Sequence, residues 1–171
     1  MAETLSTNKF ISEEDRYISL LSQMESLINP SEPVISNLSN VIAALKETFE
    51  KISWVGFYLL KNNKLYLGPF QGKVACTIIE VGKGVCGTSA NKKETVIVED
   101  VNKFPGHIAC DSGSRSEIVV PLLVDQKVFG VIDLDSYQYS AFSNIDKQYL
   151  EKLCKLLLGK LNIEKLSVII D

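Results

Sequence analysis

No uninterrupted apolar stretch in the 171 residues approaches the roughly 18 that a membrane-spanning helix needs; the longest candidates are short runs such as Val119 to Val124. A membrane span is therefore excluded, and no membrane partner is expected. No basic run is longer than Lys92-Lys93, and 18 basic against 21 acidic side chains leave a net charge of -3, so the electrostatic footprint that phosphate backbones require is missing and nucleic acid is excluded too. The N-terminus, Met1-Ala2-Glu3-Thr4-Leu5-Ser6, lacks both the basic region and the apolar region of a secretory signal, which makes the cytoplasm the expected location. The four cysteines include no C-x-x-C pair. Zinc held by Cys76, Cys86, Cys110 and His107 would have suitable ligand types without the paired spacing of ribbons and knuckles, so the expectation is no metal and no other cofactor. Linkers, internal repeats and biased segments are also missing.

What remains is an ordinary folded composition, 46% hydrophobic and 23% charged, in a chain of one domain's length. The expected organisation is a flexible arm over 1–11, a single domain over 12–165 and a tail over 166–171. Ser12-Glu13-Glu14-Asp15 predicts a helix N-terminus, and Tyr17, Leu20, Leu21, Met24, Leu27 and Ile28 follow at helical spacing until Asn29-Pro30. A second helix carries the stripe Val34, Leu38, Val41, Ile42, Leu45, Phe49 and Ile52. From Trp54 the period becomes strand-like. Strands are expected at Trp54–Leu60, Leu65–Phe70, Ala75–Glu80, Thr95–Val98, Glu117–Val124 and Lys127–Asp135, with tight turns at Lys61-Asn62-Asn63-Lys64 and Asp125-Gln126. Ser143-Asn144-Ile145-Asp146 caps a C-terminal helix whose face is Ile145, Tyr149, Leu153, Leu156, Leu157 and Leu161. The fold class is α+β, with helices bracketing a central antiparallel six-stranded sheet.

Several groups suggest chemistry. Gly82-Lys83-Gly84-Val85-Cys86-Gly87 fits the dinucleotide pattern G-x-G-x-x-G, but the next strand begins too soon for a parallel crossover of about a dozen residues, so the glycines are read as a sharp turn. Cys154 belongs to the apolar side of the last helix and reads as packing, whereas Cys76 falls in a strand, Cys86 in the glycine-rich turn and Cys110 in the long irregular stretch from Asn102 to Ser116. Asp133 and Asp135 alternate onto one face of a strand, about 6.6 Å apart, and Glu117 begins the preceding strand. Such carboxylates are ordinarily solvated; gathered with Cys110 on one concave face, burial and mutual repulsion would keep one of them protonated as an acid. Trp54 and Tyr58 share a side of their strand and suit either a core or the wall of an apolar pocket.

Trp54-Val55-Gly56-Phe57-Tyr58, Leu67-Gly68-Pro69-Phe70-Gln71-Gly72, Gly84-Val85-Cys86-Gly87, Phe104-Pro105-Gly106-His107-Ile108-Ala109-Cys110-Asp111, Ser116-Glu117-Ile118-Val119 and Gly130-Val131-Ile132-Asp133-Leu134-Asp135-Ser136 together resemble the free methionine-(R)-sulfoxide reductases, a branch of the GAF domain superfamily. The resemblance covers about residues 15–160 and departs at none of these positions. It implies a GAF-like fold and an enzyme that reduces free methionine-(R)-sulfoxide. It places the attacking thiol on Cys110, its resolution as a disulfide on Cys76, and a third, exchanging thiol on Cys86. Glu117, Asp133 and Asp135 match the family's acidic cluster, with Glu117 the candidate proton donor, and Trp54 and Tyr58 match its aromatic pocket. Thioredoxin as reductant and a homodimer are further implications.

Thiol attack on a sulfoxide needs a proton for the departing oxygen, which a neutral carboxyl supplies. The same acids push the Cys110 thiol up, so its thiolate calls on the substrate's polarity or on nearby backbone N–H groups. The rival reading is a ligand-sensing module without catalysis; a binding module has no need of three spaced thiols beside three acids.

Overall fold

The computed structural model describes Leu5 and residues 11–162; the expected tail and nearly all of the expected arm lie outside the described residues. Helix α1 (Glu13–Leu27) starts where the side chain of Ser12 accepts the backbone N–H of Asp15 at 3.1 Å, with three acids in its first turn complementing the helix dipole. Helix α2 (Val34–Thr48) follows Pro33, and Phe49 and Ile52 remain buried beyond its end. Strands β1 (Trp54–Lys61) and β2 (Lys64–Gln71) form a hairpin across Asn62 and Asn63, both left-handed as a two-residue turn requires. Asp125 and Gln126 do the same between β5 (Ser116–Val124) and β6 (Lys127–Ser136).

With β3 (Ile78–Glu80) and β4 (Val96–Val98) the sheet has the order β3-β2-β1-β6-β5-β4, antiparallel throughout. The two longest apolar runs, β1 and β5, read almost continuously because both faces of the sheet are covered. Val55, Phe57, Leu59, Ile118, Val120, Ile132 and Leu134 point to the side packed by α1, α2 and the C-terminal helix α4 (Asn144–Lys160). Trp54, Tyr58, Val119 and Val131 point the other way, into a smaller cluster closed by helix α3 (Gly84–Lys92).

Three expectations need correction. Gly82 and Gly84 do turn the chain with positive φ, but Gly84 to Lys92 is a helix rather than a turn, and Gly87 inside it lets the helix lie against Glu80, whose carbonyl occupies the space of a Cβ. The strand expected at Ala75–Glu80 shrinks to Ile78–Glu80, because side chains from β1 draw the backbone of 73–76 off the sheet. Ile145 is 38% exposed rather than buried, since it sits in the first turn of α4, beside its cap.

The helical layer is joined by one buried carboxylate. Asp146, fully covered, accepts from the Lys51 ammonium at 2.6 Å, the Tyr17 hydroxyl at 2.8 Å and the Ser143 backbone N–H at 2.7 Å, completing a capping box at the start of α4. Lys51 also reaches Glu13 at 2.9 Å, so α1, the approach to β1 and α4 meet at this point. Breaking a buried ion pair from one side leaves an uncompensated charge, and Asp146→Ala is expected to cost roughly 3–5 kcal/mol, read as a lowered urea midpoint.

Candidate active site

The period of two along a strand gathers acids on the face away from the three-helix layer. Glu117 on β5 lies directly across from Asp135 on β6, and Asp133, two residues earlier, lies across from Gly56 on β1. These are the central strands, so the carboxyls are surrounded rather than at a rim. Glu117 and Asp133 are each 6% exposed, which overturns the reading of a solvated polar face; Asp135 is less covered.

Burial pushes the Glu117 carboxyl well above the usual range, with the nearby charges of Asp133 and Asp135 adding to the effect. Burial and the charge of Asp135 raise Asp133 as well, against the opposing effect of the neighbouring Cys86 thiol and Glu117 carboxyl. Burial lifts Asp135 to about 7 against a hydrogen bond from Ser114. Ligand atoms of Cys86, Glu117 and Asp133 lie within 4.8 Å of one another, close enough to suggest a cation site. Their raised carboxyls and raised thiol would have to release protons before holding one.

An aromatic wall stands over these acids. The Trp54 ring lies across Gly56, where a Cβ would collide with it, and stacks on Phe70 with ring centroids 5.6 Å apart. Trp54 and Tyr58 then hold the segment before β3: the indole N–H donates to the Lys73 carbonyl at 3.0 Å and the Tyr58 hydroxyl to the Cys76 carbonyl at 2.9 Å. Cys76 is therefore in a strap over the sheet, not in a strand. The 107–114 loop covers the other side, and a disulfide joins Cys76 to Cys110 with α-carbons 5.6 Å apart. Asp111 braces the loop, accepting from the Gly113 N–H at 2.8 Å, the Tyr137 hydroxyl at 2.8 Å and Lys73 at 3.2 Å; the first of these bonds does most to hold its carboxyl below the ordinary range.

Between strap, loop, α3 and sheet lies a cavity of about 40 Å³ bordered by Trp54, Tyr58, Cys86, Cys110 and the three acids. That is room for a few water molecules. Seven of the eight residues singled out in the sequence border this cavity, and the eighth, Cys76, is joined to it through the disulfide with Cys110. Sequence reasoning assigned no role to Ser114, took Asp111 only as a charge that raises the Cys110 thiol, and considered His107 only as a metal ligand; their position within the Asn102 to Ser116 stretch was the available signal. Cys86 is free and buried in the first turn of α3, and Cys154 is free and buried under α4.

A carboxyl raised by burial makes stability depend on pH. In an unfolded chain Glu117 titrates near the ordinary glutamate value of about 4.3. Above that pH the folded state still holds the proton that the unfolded state has released, so stability falls as pH rises until the folded carboxyl ionises. Glu117→Gln removes this loss. Urea midpoints measured from about pH 4 to about pH 8 should show the variant gaining steadily on the wild type, whereas a pH-independent difference would contradict the raised carboxyl.

A model of the GAF domain matches residues 34–158. The GAF domain-containing protein A of Dictyostelium discoideum is 51% identical over 158 residues, spanning 92% of this chain and 99% of its own length. The free methionine-R-sulfoxide reductase of Saccharomyces cerevisiae is 46% identical over 164 residues, 91% of each chain. Among solved structures, the free methionine-R-sulfoxide reductase from Neisseria meningitidis, in complex with its substrate, aligns with a TM-score of 0.88 and 41% identity over 96% of this chain and 99% of that one.

Proposed function

The chain belongs to the GAF domain family, in the branch of the free methionine-R-sulfoxide reductases, and we propose that it reduces free L-methionine-(R)-sulfoxide to L-methionine through Cys110. The observation that carries this reading is the Cys76–Cys110 pair seated beside a buried carboxyl that keeps its proton. The sulfur of reduced Cys110 attacks the sulfoxide sulfur while Glu117 protonates the sulfoxide oxygen. Collapse passes that oxygen to the Cys110 sulfur, breaking both the substrate's S–O bond and the newly formed S–S bond, and leaves methionine with its sulfur reduced and Cys110 as a sulfenic acid. The Cys76 thiol then attacks that sulfur, forms the disulfide and expels water. The present structure, with Cys76 and Cys110 joined, corresponds to the end of this sequence.

Cys86 has a different setting from the other two thiols. Burial and the surrounding acids push its thiol up, away from the reactive thiolate form. In this reading it exchanges only when Cys76 is missing. Thioredoxin as reductant and a homodimer are the parts of the proposal that rest on the resemblance alone.

NADPH oxidation coupled through thioredoxin and its reductase, with free methionine sulfoxide limiting, tests the activity; no turnover with either epimer would overturn it. Cys110→Ser is expected to abolish reduction, because a neutral hydroxyl does not replace a thiolate nucleophile. Cys76→Ser should release about one equivalent of methionine per enzyme and then slow, the attack surviving without its resolving partner.

Substrate selection follows from the acids. Asp133 Oδ1 is buried with no hydrogen-bond partner among the described residues, and with Asp135 it suits a free ammonium group. A residue within a peptide presents a neutral amide there and leaves a buried carboxylate unpaired, a mismatch of the kind that produces strong discrimination. In competition at equal concentration, kcat/KM for free (R)-sulfoxide is expected to exceed that for its N-acetylated, amidated form by about 10²-fold or more. Comparable values would retain the thiol chemistry and remove the free amino acid as substrate.

A further inference from the structure

The chain contains one histidine, and it lies in this cavity. His107 Nε2 is 3.8 Å from Glu117 Oε2, with 15% of the histidine side chain exposed against 7% of the glutamate's. The position is set locally: Gly106 takes a left-handed turn at φ 74°, and the His107 N–H donates back to the Phe104 carbonyl at 3.1 Å. His107 and Cys110 thus border the cavity from the same short loop, with Glu117 rising from the sheet beneath.

We propose that His107 is the proton-transfer residue of this site, taking the proton of the Cys110 thiol and returning it to Glu117 in each turnover. The inference rests on the reductase reading. In the first half of the cycle the thiol and sulfoxide become a sulfenic acid and a thioether: the oxygen moves from substrate sulfur to Cys110 sulfur, and no proton is gained or lost overall. Glu117 spends its proton on that oxygen, and the thiol must shed its own to attack. A carrier that moves the second proton to where the first was spent closes the account within the cavity.

The groups facing His107 are of one kind. Glu117 comes from β5, Asp133 and Asp135 from β6, Cys86 from α3, Tyr58 from β1, and Asp111 from its own loop. All are acids, and each one ionised makes the Cys110 thiolate harder to form. Imidazole alone becomes positive on taking a proton, so it offsets both the thiolate and the spent carboxylate while it carries. Partial burial holds its pKa below the ordinary histidine value, leaving it neutral and able to accept at pH 7. The gap of 3.8 Å belongs to the disulfide state, in which Cys110 has no proton to give; such contacts tighten in the reacting complex.

The test needs no sulfoxide. In the fully reduced protein, alkylation of Cys110 by iodoacetamide is followed against pH by peptide mass spectrometry, in wild type and His107→Gln. The expected result is Cys110 alkylation about tenfold slower in the variant near pH 7, with the rates converging near pH 10, where the thiol ionises unaided. Free imidazole should restore part of the loss. Equal rates across the pH range would overturn the proposal. Single-turnover reduction should follow the same pattern, its acid limb lost in His107→Gln while KM changes little. If wild type reduces neither epimer yet the alkylation difference persists, the reductase reading fails and the proton transfer from Cys110 to His107 stands.

Discussion

Three carboxyls buried on two neighbouring central strands impose a cost that shapes everything on that side of the sheet. In water each would be charged at neutral pH; beneath the strap and loop, burial pushes the Glu117 and Asp133 carboxyls up, and Glu117 keeps its proton. Protonation meets part of that cost. It leaves a carboxylic acid able to donate at neutral pH, which a surface glutamate cannot do.

The sheet divides the labour. Its other face carries the larger apolar cluster, sealed by α1, α2 and α4 and pinned at Asp146, and this supplies the stability against which the acidic face is maintained. Glu117 and Asp133 are framed by Ile118, Ile132 and Leu134, which alternate to the apolar side and fix the strands that aim them. A shift of one residue in β5 or β6 would turn the acids into the core. The register of the acids is thus protected by residues that never meet the ligand.

The cover is built differently. The strap carrying Cys76 and the loop carrying Cys110 hold no ladder with the central strands; they are tied by the Trp54 and Tyr58 hydrogen bonds, by Asp111 and by the disulfide. Reducing the disulfide removes the one covalent tie between them. The aromatic residues do two things at once, walling the cavity with their faces and holding the strap with their polar atoms.

Much of this was legible in the chain itself. Alternation placed Asp133 and Asp135 on one face, the two-residue turns located both hairpins, and the capping serines marked α1 and α4. Local periodicity determines these, since a residue's neighbours along the chain decide which face it shares. The helical nature of Gly84–Lys92 was hidden, because glycines that permit the close approach to Glu80 also mimic a turn. The shortness of β3 was hidden as well, since its lost residues are held by side chains of β1. Whether the acids were solvated or buried, and that His107 stands within 3.8 Å of Glu117, was decided only when strap, loop and helix closed over the sheet. Burial and proximity belong to segments brought together from far apart in the chain, and local pattern carries no record of that encounter.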